Sequence, residues 1–168
     1  MMKVLPRNIL RFVVLILVQV LILNNIQFSG FVNPFIYVLF ILLLPFETPN
    51  WMLLIIAFFL GFSVDLFSHT PGMHASATVF MAFIRPYILQ GFAPRDGYEA
   101  GTYPRLYYYG FSWFLRYAGI LVFIHHIFLF FIEAFKFDDF FSTLSRAILS
   151  TIFSLILIVI SQFFMYKK

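Results

Sequence analysis

The chain has 168 residues, 62% of them hydrophobic and 11% charged, and its mean hydropathy of +0.96 lies far outside soluble-domain usage. With no cysteine it has no disulfide framework, no thiolate nucleophile and no cysteine metal site. The formal charge of +4 comes from dispersed basic residues that flank apolar stretches, so it reads as a membrane-topology signal and not as a nucleic-acid footprint.

Crossing about 30 Å of hydrocarbon takes roughly 20 apolar helical residues. On that scale the sequence parses into one all-α integral membrane domain, 1–168, with six transmembrane helices near 8–28, 33–46, 51–67, 71–89, 109–135 and 144–166. The first resembles a signal sequence, with Lys3, Arg7 and Arg11 ahead of the apolar run. Asn24, Asn25 and Gln27 follow where a small-residue cleavage site would stand, so an uncleaved signal anchor is expected. Gln19 is its mid-span polar group. The second span opens at Asn33-Pro34, carries Pro45 near its end and is short for a crossing. The third and fourth form a hairpin around a polar turn. The fifth is long enough to tilt and contains Arg116, His125 and His126; the sixth ends before Lys167-Lys168.

Charge sets the orientation. With the N-terminus inside, Lys3, Arg7, Arg11, Arg85, Arg95, Arg105, Lys167 and Lys168 are cytoplasmic, whereas the outer loops hold Lys136 and Arg146. Eight against two favours an even number of spans with both termini in the cytoplasm. The cytoplasmic loop 90–108 contains Pro94, Gly97, Gly101 and Pro104 and runs into Tyr107, Tyr108 and Tyr109, which are expected at headgroup depth. Arg85-Pro86 reads as a surface anchor followed by a kink.

The segment that stands out chemically runs from Gly61 through Asp65, Ser68, His69, Thr70, Pro71 and Gly72 to His74. An ionisable group at the edge of an apolar helix is costly unless it faces protein. An anion is also disfavoured at a helix C-terminus. Asp65 therefore demands a partner, and His74, Ser68 or the amides of span four are within reach. Thr70 is expected to cap span four, with Pro71 at its first position. Gly61, one turn before Asp65, permits close helix approach, or is simply a tolerated small residue. The plainest role for Asp65 is to fasten the hairpin; docking of a partner protein is the second. Catalysis needs a third group in contact, and none recommends itself.

His125 and His126 point about 100° apart on a helix and cannot ligate one metal from the same face. At least one is expected to hydrogen-bond inside the bundle. Arg116 is expected to snorkel toward the cytoplasmic interface, ahead of the alternative that it pairs with a buried acceptor such as Gln19. No P-loop, dinucleotide fingerprint, zincin motif or nucleophile elbow is present, and no catalytic residue, cofactor site or metal site is assigned.

Six spans in under 200 residues, with Gly61-x-x-x-Asp65-x-x-Ser68 followed by Pro71-Gly72-x-His74-Ala75, resemble the rod-shape-determining MreD family. The turn departs from that family's usual pattern in reading Ser-His-Thr-Pro-Gly. The resemblance implies a non-enzymatic component of the bacterial inner membrane, surrounded by lipid, that serves the cell-elongation machinery. Implied partners are a single-span MreC-type scaffold, MreB-linked filaments, and a RodA-type polymerase with its transpeptidase. The implied fold is similar to the S components of energy-coupling-factor transporters, and Gly61, Asp65, Ser68, Pro71, Gly72 and His74 would form a structural or docking element. The alternative is an S-component-like small-molecule subunit, which predicts an outward-opening polar pocket lined by Asp65, Ser68, His69 and His74. A membrane enzyme is the third reading, and the Asp65/His74 pair is too little for it.

Overall fold

A computed structural model describes residues 4–25, 32–99, 101–135 and 139–164, without the side chains of 4–7. Among them the protein is all-helical: α1 (Val4–Leu21), a short α2 (Leu39–Leu42), α3 (Asn50–Ser68), α4 (Met73–Gly91), α5 (Leu106–Ala134) and α6 (Phe140–Phe164), with a 3-10 turn at Leu23–Asn25. Four segments, Asn8–Asn25, Asn50–Ser68, Leu106–Ala134 and Phe140–Phe164, are long and apolar enough to cross a membrane. Their outward faces carry residues such as Ile9, Leu10, Phe59, Leu66 and Phe163, all exposed, as lipid contact requires.

Consecutive long helices pack side by side, α3 on α4, α4 on α5 and α5 on α6. The short turn after α3 makes the first pair antiparallel, and the Glu133–Arg146 contact does the same for α5 and α6. Contacts of Arg85 with Tyr117 and of Trp113 with Phe92 run α4 against α5 in the same sense. Asn24 at the end of α1 meets Ser68 at the end of α3, so these two helices run parallel. One end of the bundle therefore gathers the close of α1, α3 and α5 with the start of α4. We refer to it as the Asp65 end, and to the opposite one as the loop end.

Span three and span four agree with α3 and α4 to within two residues. The sixth helix starts four residues earlier than 144, at Phe140, and positions 165–166 lie outside the described residues, as do 26–28 of the first span. The fifth begins at Leu106 and is broken at Gly110, whose φ of 80° and ψ of 168° no helix contains. A glycine at that position lets the chain turn the corner from the loop into the span.

The second stretch, 33–46, differs most from expectation. It holds only the four-residue α2; Asn33 to Ile36 belong to no regular element. Pro34 and Pro45 bracket just ten residues, too few for a stable helix, and each disfavours a helical residue before it. What the segment has instead is apolarity on every side, and Tyr37 to Leu44 are all buried. It threads the bundle interior from the Asp65 end to the loop end, where it feeds α3.

Irregular backbone at membrane depth is tolerated only where protein satisfies its polar groups. Here the neighbouring helices do so with side chains. Ser150 and Ser154 of α6 accept from the amides of Asn33 (3.1 Å) and Phe35 (2.8 Å). Gln19 of α1 accepts from Ile36 N–H at 2.9 Å and donates to the Pro34 carbonyl at 3.2 Å. Farther on, Tyr117 donates to the Leu42 carbonyl (3.0 Å) and Arg85 to the Leu44 carbonyl. Arg85 is thus no surface anchor. It is 1% exposed, and its Nε donates to the Tyr117 hydroxyl at 2.9 Å.

The loop end is closed by aromatic packing. Phe46 stacks on Tyr98 at 4.0 Å, with Tyr109 and Trp113 around them, and Trp113 Nε1 donates to the Phe92 carbonyl. Tyr107 and Tyr108 stay exposed. Arg116 is exposed and lies 5.8 Å over the Phe92 ring, toward this end.

Replacing Arg85 with leucine orphans the Leu44 carbonyl inside the bundle, and should lower stability by about 1–3 kcal/mol. Arg116→Leu, at an exposed position, should stay within about 0.5 kcal/mol of the parent. Thermal unfolding of both variants in one detergent checks the pair; equal midpoints would refute the buried role of Arg85.

Candidate functional site

The hairpin motif is built from close approach. Gly61 of α3 faces the first turn of α4 so tightly that a Cβ there would lie 2.5 Å from the Ala75 Cα and from the His74 carbonyl oxygen. Such contact is possible only without a side chain, so the permissive reading of Gly61 gives way to a required one.

One turn on, that proximity delivers the Asp65 carboxylate to the start of α4. Oδ1 accepts from His74 N–H and from the Thr70 hydroxyl, and Oδ2 accepts from Ala75 N–H, each at 2.9 Å. The expected demand for a partner is met by backbone amides of span four, not by Ser68 or the His74 ring. An anion misplaced at the end of its own helix is placed favourably at the N-terminus of the next. Thr70 does not cap α4 and Pro71 is not its first residue. The helix starts at Met73 after Gly72, which has φ 83° and no capping side chain, because Asp65 takes over the cap. The turn itself is made by His69 and Gly72, both with positive φ.

Ser68 is drawn the other way: its Oγ accepts from Asn24 Nδ2 at 2.9 Å, and Asn24 Oδ1 accepts from Gln19. The side chain that sequence reasoning missed is Tyr37. Its hydroxyl sits between His74 Nδ1 (3.0 Å) and His125 Nε2 (2.7 Å), with all three residues buried. His126 donates from Nδ1 to the Val122 carbonyl and accepts from Ser154 at Nε2 (3.2 Å). Both adjacent histidines are thus used inside the bundle, on different partners. No sequence signal pairs Tyr37 with either, since the contact depends on the threaded segment being non-helical. Among the described residues no group of three metal-ligating side chains converges.

Above His74 a cavity of about 390 Å³ opens at the Asp65 end, walled by α1, the 33–35 stretch, the α3–α4 turn and the ends of α5 and α6. Of the four residues expected to line an outward pocket, Ser68 and His74 do; Asp65 is turned onto the α4 amides, and His69 is not in the wall. Glu133 and Arg146 pair across its rim at 3.1 Å, and the guanidinium lies 4.3 Å over the Phe130 ring.

Gly61→Ala must push α3 off α4, at a cost of about 1–3 kcal/mol. Asp65→Asn removes the charge and sets an amide against two N–H donors, a loss of about 1.5–3 kcal/mol. Ser68→Ala, at the edge, should cost less than either, about 0.5–1.5 kcal/mol. Unfolding midpoints in one detergent rank the three, and an Asp65→Asn protein as stable as the parent would remove the cap from the account.

Comparison with protein-family models, with curated proteins and with solved structures returned no match, so the functional reading rests on the residues themselves.

Proposed function

We propose that this chain is a non-enzymatic, MreD-type component of the bacterial cell-elongation machinery. In this reading it lies in the inner membrane with both termini in the cytoplasm. It crosses six times, the second pass being the buried segment that threads the bundle, in an architecture similar to transporter S components. It scaffolds a single-span MreC-type protein and links MreB filaments to a RodA-type polymerase and its transpeptidase. The observation that carries the reading is how the motif residues of the resemblance are spent. Gly61 and Asp65 lock α3 to α4, and Ser68 ties that hairpin to α1 through Asn24. A motif used up in holding helices together suits a protein that presents faces to partners, and association inside a bilayer proceeds by just such packing.

The test is crosslinking in native membranes, followed by purification of the chain and mass spectrometry. Recovery of a single-span scaffold and peptidoglycan synthases is expected. A second reading, a small-molecule subunit of a transporter, is favoured by the polar cavity at the Asp65 end; recovery of an ATPase with a membrane coupling subunit would decide for it and against the scaffold. A reporter fused after Lys168 should be active only in the cytoplasm, and a signal from the opposite side would overturn the six-pass topology.

A further inference from the structure

We infer that the cavity at the Asp65 end is a binding site for an uncharged, hydroxyl-rich group of the saccharide type, a property beyond the scaffold role and independent of it. The cavity has the volume of a small-molecule site, which runs roughly from 300 to 1,000 Å³. Volume alone says little; the polar groups that face it say more.

His74 is the central one. Only 5% exposed, it lines the cavity, and its Nδ1 is held by Tyr37. Its Nε2 makes no hydrogen bond among the described residues and is not one of the sealed, unpaired atoms of the core, so it keeps accessible surface in a residue that lines the cavity. The proton order along the chain below follows from His125. Its Nδ1 is buried without a partner among the described residues. Were a proton there, an N–H would be orphaned in the core, a rarer and costlier fault than an unpaired lone pair. His125 therefore donates from Nε2 to the Tyr37 oxygen, Tyr37 donates to His74 Nδ1, and neutral His74 carries its hydrogen on Nε2. The cavity floor is an N–H donor.

The walls add both donors and acceptors. The Asn33 carboxamide and the Ser68 hydroxyl offer both, and Glu133 Oε2 accepts. Glu133 and Arg146 cancel each other's charge. A bare anion or cation would lose its hydration and find no net countercharge among the described residues that line the cavity, which disfavours charged ligands. A group with hydroxyls, each donor and acceptor at once, fits such a lining, and Phe35, Leu129 and Val20 supply apolar walls for its C–H faces. The same chemistry has two sources, a free sugar or the headgroup of a glycolipid.

The experiment uses the full chain in phosphatidylcholine nanodiscs, photolabelled with a diazirine derivative of glucose or with a diazirine monoglucosyl diacylglycerol. Labels are mapped by mass spectrometry. Crosslinks on 19–25, 33–35, 68–74, 129–133 or Arg146, competed by unlabelled glucoside and not by glucose 6-phosphate, are expected. Labelling by the soluble probe identifies a free saccharide; labelling by the lipid probe alone identifies a headgroup. His74→Ala should weaken labelling about tenfold, the worth of one buried hydrogen bond. Because that variant disturbs the Tyr37 contact, Glu133→Gln at the half-exposed rim is the second test. It leaves Arg146 uncompensated, so glucose 6-phosphate should become a competitor. Absence of site labelling with both probes, or equal competition by the phosphate in the parent protein, would overturn the inference.

Discussion

A length of backbone that is not helical, buried inside a bundle of apolar helices, has to find hydrogen-bond partners within the protein. Five polar side chains from the helices of this chain answer that demand. Gln19, Ser150, Ser154, Tyr117 and Arg85 come from four different helices, and each meets a backbone group of the 33–44 segment that its own turns leave open. Every unmet group in such a place costs on the order of 1–3 kcal/mol, so the set is needed together. The α1 and α6 helices, with their largely lipid-facing surfaces, are held to the bundle in part through these bonds.

A second constraint acts at right angles to the first. The hairpin of α3 and α4 relies on contact without a side chain at Gly61, and the contact brings a carboxylate to two free amides. The order of cause matters. A larger residue at 61 would move the α4 start away from Asp65, so packing sets the electrostatics and the charge then fixes the register. Because Asp65 replaces a cap from the turn, the turn is free to consist of residues chosen for backbone shape, His69 and Gly72.

Much of this was legible in the sequence, and the remainder has a common cause. The hydropathy of α3 and α6 announced itself, and the need of Asp65 for a partner followed from its place on a helix end. The fourth helix was legible too in its bounds; α4 is not among the four helices apolar enough to cross by composition, and it carries the buried polar residues His74, Thr78 and Arg85. The threaded segment was not: 33–46 has the apolarity of a span, and only its length and its two prolines hint otherwise. Once it is taken for a helix, its amides appear satisfied, and nothing remains to explain Gln19, Ser150 or Ser154. Arg85 was placed at the membrane surface for the same reason. Side chains that serve a backbone carry no mark of it in the sequence, since a carbonyl has no residue type.

His74 is where the two constraints meet. Its backbone N–H belongs to the Asp65 cap, its carbonyl accepts from Thr78 at 2.7 Å, and its ring nitrogen belongs to Tyr37 of the threaded segment. The ring is fixed from both sides before anything enters the cavity above it. A site with its central donor immobilised spends little on ordering side chains when it is filled. The same fixation links the contents of the cavity to the position of Tyr37, and through Tyr37 to His125 on α5. Displacing the His74 ring would strain the cap and the threaded segment together, so the hairpin, the threaded segment and the cavity are coupled through this one residue.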